Sequence, residues 1–168
     1  MNRKRVLVTG SNGLLGQKLT DIYRQIPEVE LIATAKGEDR YYEKTGYQYA
    51  SMDITNKEEV MRVIGDFKPE TIINTAAMTN VDACEDEKDL CFQLNVSAIE
   101  YLAEAANSVG AHLISISTDF IFDGLAGPYS EDDKPNPLSY YGWSKWMGEE
   151  IIKKQAAKWS ILRTVLVY

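Results

Sequence analysis

A chain of 168 residues, 45% apolar and 26% charged, is long enough to bury one core and too short for two ordinary domains, so residues 1–168 read as one soluble globular unit. No stretch approaches the roughly 18 uninterrupted apolar residues of a membrane span. A formal charge of −7, with no basic cluster beyond Arg3 to Arg5, excludes general affinity for nucleic acid, which needs clustered Lys and Arg to neutralise phosphates.

The basic start, Met-Asn-Arg-Lys-Arg, precedes an apolar run of only Val6 to Val8, which reads as a first strand rather than a secretory signal. Arg5 to Thr9 forms that strand, and Gly-Ser-Asn-Gly-Leu-Leu-Gly joins it to an amphipathic helix over Leu14 to Ile26. Val29 to Ala35 reads as a second strand and Tyr47 to Met52 as a weaker third. Asn56 is placed to cap a helix through Phe67, with Glu58 and Glu59 in the first turn where carboxylates suit the dipole. Glu70 to Thr75 is a buried strand, Val81 to Val109 carries helical periodicity up to a stop at Gly110, and His112 to Ser117 is strand again. Gly124 to Ser139, with two Gly and three Pro, must be loop before a helix over Tyr140 to Ala157 and a strand over Trp159 to Tyr168. Strand and helix alternate throughout. That pattern implies an α/β, doubly wound parallel sheet of the Rossmann type, with right-handed crossovers placing helices on both faces.

Cys84 and Cys91, seven apart on one helix, would stand about 10 Å apart along its axis, beyond disulfide reach. Both read as reduced thiols of a cytoplasmic protein. His112 has no metal-ligand partners at the right spacing, Glu131 to Asp133 is a solvated acidic run, and no metal site is expected. Trp143, Trp146 and Met147 follow helical periodicity and read as packing residues. Arg163 lies within the last strand, where a charge requires a partner that the sequence does not name.

Gly10, Gly13 and Gly16 form a Gly-x-x-Gly-x-x-Gly turn directly after the first strand, and with Ser11, Asn12, Leu14 and Leu15 they would face a dinucleotide pyrophosphate. The acid that usually closes the second strand for the ribose hydroxyls of NAD is missing. Lys36 stands there with Arg40 near it, which favours the 2′-phosphate of NADP(H) and leaves NAD(H) as the alternative. Asp53 and Ile54 close the third strand where an adenine edge would lie. Ala76 and Ala77, with Met78 beside them, follow the fourth where a nicotinamide ribose would pass, and mid-helix Asn95 reads as a polar contact near the same site.

Thr118 at the end of the fifth strand, with Tyr141 and Lys145 four residues apart on a helix, forms a candidate acid–base site. A cation beside a phenol favours the phenolate and would draw the Tyr141 pKa down from about 10.

The glycine turn, Asp53-Ile54, Asn74-Thr75-Ala76-Ala77, Thr79-Asn80-Val81-Asp82, Leu94-Asn95-Val96, Ser117 to Gly124, Pro128-Tyr129-Ser130-Glu131 and Tyr141-Gly142-Trp143-Ser144-Lys145 occur in an order that resembles the extended short-chain dehydrogenase/reductases. Within them the chain is similar to the dTDP-4-dehydrorhamnose reductase family. The resemblance implies reduction by NAD(P)H of the 4-keto group of a nucleotide-linked 6-deoxysugar, giving dTDP-L-rhamnose. Tyr141 would protonate the carbonyl oxygen, Lys145 would lower the Tyr pKa and hold the nicotinamide ribose, and Thr118 would hydrogen-bond the reacting oxygen. Members of that family continue well beyond the strand at Ile161 to Val167 into a lobe that closes over the substrate; its absence from a chain ending at Tyr168 implies that cofactor binding outlasts turnover. Related proteins often pair through helices corresponding to 81–109 and 140–157, which leaves the oligomeric state open with a homodimer as one option. The same scaffold also carries nucleotide-sugar epimerases and dehydratases, and a regulatory subunit without catalysis resembles it closely.

Overall fold

The alternation along the first strand already divides the core. Val6 and Val8 pack on one side of the sheet with Leu31 and Ile73, while Leu7 packs on the other with Ile72, Leu113 and Leu102. The computed structural model describes residues 3–165, and the expected strand end beyond 165 lies outside the described residues. Its elements are β1 (Lys4–Thr9), α1 (Leu14–Tyr23), β2 (Val29–Ala35), β3 (Gln48–Ser51), α2 (Lys57–Phe67), β4 (Thr71–Asn74), α3 (Val81–Asp86), α4 (Lys88–Phe92), α5 (Ala98–Val109), β5 (His112–Thr118), α6 (Tyr140–Gln155) and β6 (Trp159–Thr164). The six strands pair in parallel in the order β3-β2-β1-β4-β5-β6. This is the doubly wound sheet that the alternation implies. The chain builds outward from β1 to β3 and then returns to β4 on the other side of β1. The carboxyl ends of β1 and β4 therefore flank the switch point, where open sheets of this class bind ligands.

Asn56 caps α2 as expected: its Oδ1 accepts the backbone N–H of Glu58 at 3.0 Å and of Glu59 at 3.2 Å. Asn56→Ala is expected to cost about 1 kcal/mol and to lower the urea midpoint without changing the slope of the transition. An unchanged midpoint would show that the cap adds nothing.

The uninterrupted helix expected over 81–109 is not present. Glu87, at φ −116° and ψ 56°, separates α3 from α4, and Gln93–Ser97 forms a π-helical turn before α5 begins. Tertiary packing overrides the periodicity here. The break turns the buried Cys84 and Cys91 into one small cluster with Tyr141, packed by Met78, Val81 and Tyr140. Both cysteines are free thiols, but they are neighbours rather than residues separated along a straight axis. Burial first, and the adjoining Cys91 second, push the Cys84 thiol up to about 12.

Candidate active site

The β1–α1 turn is built around close approach. Gly10 takes φ +66°, the left-handed region that favours glycine, and a Cβ there would sit 2.8 Å from the Ala76 nitrogen. At Gly16 any Cβ would collide with the Gly10 carbonyl oxygen and come within 2.7 Å of the Ser11 Cα. α1 therefore starts hard against the strand end. Gly13 supplies no capping side chain and the first turn holds no acid, so the N-terminal amides of α1 keep their hydrogen-bonding capacity and the dipole its positive end. Ser11 Oγ is buried and is the one buried side-chain polar atom without a partner among the described residues. An orphaned hydroxyl beside uncapped amides fits an anion, and so fits the pyrophosphate of a dinucleotide.

Beside that turn lies a cavity of about 270 Å³ lined by Gly10, Gly13, Ala35, Lys36, Met52, Asp53, Ile54, Thr75, Ala76, Ala77 and Leu94. Seven of the expected cofactor positions meet in this one wall: Gly10, Gly13, Lys36, Asp53, Ile54, Ala76 and Ala77. Thr75 joins Ala76 and Ala77 at the end of β4, and Ala35, Met52 and Leu94 complete the wall; Leu94 comes from the π-helical turn, which heptad-like spacing does not reveal. Lys36 reaches over the wall to pair with Asp53 at 2.7 Å while remaining 81% exposed. The contact with Asp53 raises the Lys36 pKa, and although burial opposes it, hydrogen bonds from Lys36 and Thr55 leave the Asp53 carboxyl lowered.

Five other expected residues lie outside that wall. Leu14 and Leu15 open α1, with Leu14 largely exposed, and contribute through the backbone. Asn12 pins the following loop: its Nδ2 donates to the Glu38 carbonyl at 2.9 Å and its Oδ1 accepts the Arg40 N–H at 2.8 Å. Asn95 is buried and lines no part of that cavity. Its Oδ1 accepts Met78 N–H at 2.9 Å, and its Nδ2 donates to Met78 O and Ser144 Oγ, each at 3.0 Å. It ties the segment after β4 to α6, which makes both Asn95 and Met78 supports of the wall.

The acid–base group assembles as the spacing suggests. Ser139 Oγ caps α6 by accepting Gly142 N–H at 3.1 Å, and Tyr141, Lys145 and Glu149 then share its buried face. Thr118 ends β5, its Oγ1 accepting Phe120 N–H at 3.2 Å and donating to Asp119 Oδ1 at 3.2 Å. The electrostatics differ from expectation. Burial raises the phenol above its ordinary value, with Thr118 acting in the opposite direction. The ammonium is directed elsewhere: Lys145 Nζ donates to the Ile116 carbonyl at 2.8 Å. Burial draws Lys145 down to about 8, opposed by Glu149.

Among the described residues no group of His, Cys, Asp and Glu is arranged to hold a metal, and no helix is long and apolar enough to cross a membrane.

The family model described as "RmlD substrate binding domain" matches residues 4–168. A dTDP-4-dehydrorhamnose reductase of Aggregatibacter actinomycetemcomitans is 38% identical over 161 residues, covering 95% of this chain and 50% of that protein. Methionine adenosyltransferase 2 subunit beta of Rattus norvegicus is 34% identical over 165 residues, covering 98% of this chain and 47% of that protein. The crystal structure of dTDP-4-dehydrorhamnose reductase from Bacillus anthracis in complex with NADP superposes with a TM-score of 0.83 at 34% identity, covering 99% of this chain and 54% of that one. The chain thus spans about half the length of the curated relatives it matches.

Proposed function

The chain belongs to the RmlD family, that of the dTDP-4-dehydrorhamnose reductases, and from that membership we propose that it carries the cofactor and proton-transfer half of a reductase acting on a nucleotide-linked 4-keto-6-deoxysugar, with dTDP-4-dehydrorhamnose the substrate. The observation that carries the proposal is the placement of the buried Thr118, Tyr141 and Lys145 on the same carboxyl edge of the sheet as the glycine turn and its cavity.

When bound, a reduced nicotinamide supplies the hydride. The protein's task is then to seat it, orient the sugar and deliver one proton. The amides after Gly10 and the Ser11 hydroxyl hold the pyrophosphate. Tyr141 gives its proton to the carbonyl oxygen, and a phenol raised by burial is fully protonated at neutral pH, the state a reduction needs in its acid. Thr118 fixes the direction of that phenol. Lys145 keeps its charge below about pH 8 and offers it to the nicotinamide ribose. As pH rises through about 8 the ammonium becomes neutral and this contribution is lost.

Lys36 and Arg40 select the phosphorylated dinucleotide. Lys36→Ala removes a charge-assisted hydrogen bond to the 2′-phosphate, so it is expected to weaken NADPH by about tenfold and to leave NADH within twofold. Equal losses for both cofactors, measured by calorimetric titration, would remove Lys36 from the selection.

Consumption of NADPH with dTDP-4-dehydrorhamnose by the protein tests the reaction. NAD retained through purification with no net consumption would point to an epimerase or dehydratase. The 34% identity to a methionine adenosyltransferase subunit favours a second reading, a cofactor-binding regulatory partner. That reading predicts NADPH binding, stable capture of a methionine adenosyltransferase catalytic subunit, and no reductase activity.

A further inference from the structure

The partner that Arg163 requires is Glu149 of α6. Arg163 Nε and Nη2 donate to the two carboxylate oxygens at 3.0 and 2.7 Å, and Ser117 Oγ donates to the same carboxylate at 2.6 Å. Glu149 is only 2% exposed and is the one buried carboxylate among the described residues. Ser117 and Arg163 are register partners on β5 and β6, so both reach α6 from one level of the sheet. Arg163 also donates from Nη1 to the Glu131 carbonyl at 3.1 Å, joining the loop that leads into α6.

This node adjoins the acid–base group. Lys145 lies one turn before Glu149 on the same buried face of α6 and is hooked to Ile116, the residue before Ser117. Adjacent residues of β5 thus anchor the two opposite charges. A buried ammonium whose hydrogen bond goes to a neutral carbonyl needs a compensating charge nearby. We propose that Glu149 is a positioning residue: a fixed negative charge, locked by Arg163 and Ser117, that keeps Lys145 in its ammonium form and holds α6 over the end of β5. The proposal rests on the reading of Lys145 as the active lysine.

The charged and titratable groups around Lys145 are few. α6 offers Tyr141 and Glu149, α4 offers Cys91, and β6 offers Arg163 from behind Glu149, with Lys153 approaching the carboxylate at 3.7 Å from the solvent side. Cys84 of α3 and Asp119 after β5 act on Tyr141. The π-helical turn, α5 and β5 present the uncharged Asn95, Ile99, Ser115 and Ser117. Glu149, one turn further along the same buried face, is therefore the carboxylate that acts on Lys145, and its influence opposes that of burial.

The test is a carbon-13 NMR titration of lysine-labelled chain, with the Lys145 resonance assigned by its loss in Lys145→Arg. It needs neither cofactor nor substrate, so its outcome is independent of whether the reductase reading survives. The wild-type midpoint is expected near 8. Glu149→Gln should lower it by about one pH unit or more, and Arg163→Gln, which leaves the carboxylate unopposed, should raise it. A merely structural role would move both variants alike or neither, and that result would overturn the proposal. If Glu149→Gln does not fold, Glu149→Asp should keep the midpoint within a few tenths of a unit while Arg163→Gln raises it; failure of that pair to separate overturns the proposal equally.

Discussion

Tyr141→Phe is expected to slow NADPH-dependent reduction of the keto sugar by about 10² to 10⁴, the range typical of a lost general acid, while leaving cofactor affinity within twofold. The ring is buried in the cluster with Cys84 and Cys91 and stands edge-on to Phe120 at 5.9 Å, so a phenylalanine of the same shape keeps the packing. What disappears is the hydroxyl beside Thr118. The direction of its pKa matters to the argument. A phenol raised by burial is a weak base but a fully loaded proton donor across neutral pH, which suits the forward reduction. The rate should then fall at the alkaline side with a midpoint near 8, where Lys145 loses its proton, well before the tyrosine titrates. Retention of full rate by Tyr141→Phe would remove the residue from proton transfer.

Gly16→Val is expected to weaken NADPH binding by at least about 100-fold, since anion binding at a helix N-terminus depends on the amides keeping their aim. A side chain at position 16 meets the Gly10 carbonyl oxygen, and backbone cannot yield as a flexible side chain would. The start of α1 must move away from β1. The uncapped amides then turn out of the site, and the cavity loses the wall made by Gly10 and Gly13. The main core, built from β1, β4, β5, α2 and α5, lies on the far side of the sheet, so far-ultraviolet circular dichroism should be nearly unchanged. Calorimetric titration separates the two effects. A variant that binds NADPH as tightly as the wild type would show that the turn does not hold the pyrophosphate.

Much of this architecture was legible because it is local. The strand–glycine–helix start, the Asn56 cap with its two following glutamates, and the Tyr141 to Lys145 spacing each depend on neighbours within a few residues. The strand alternation placed β1 to β5 within one residue of their observed ends and the start of β6 at Trp159. What was hidden depends on contacts between distant segments. Within the π-helical turn Asn95 reaches both Met78 and Ser144, 17 and 49 residues away, and periodicity carries no trace of such bonds. The same turn places Leu94 in the cavity wall and leaves Asn95 outside it. The Lys145 electrostatics are hidden from the sequence for a similar reason. Spacing on α6 puts its ammonium on the face of Tyr141, but the carbonyl of Ile116 on a different element claims it. Glu149 could have been suspected from the need of Arg163 for a partner, although only the β5–β6 register shows why Ser117 joins them.

The account depends above all on this chain holding a nicotinamide dinucleotide along the carboxyl edge of β1 and β4. Titrating NADPH into the 168-residue chain and following nicotinamide fluorescence tests that directly. Saturable binding at one site per chain, lost in Gly16→Val and retained in Tyr141→Phe, is the predicted result. Absence of saturable binding, or binding that Gly16→Val leaves intact, would contradict it.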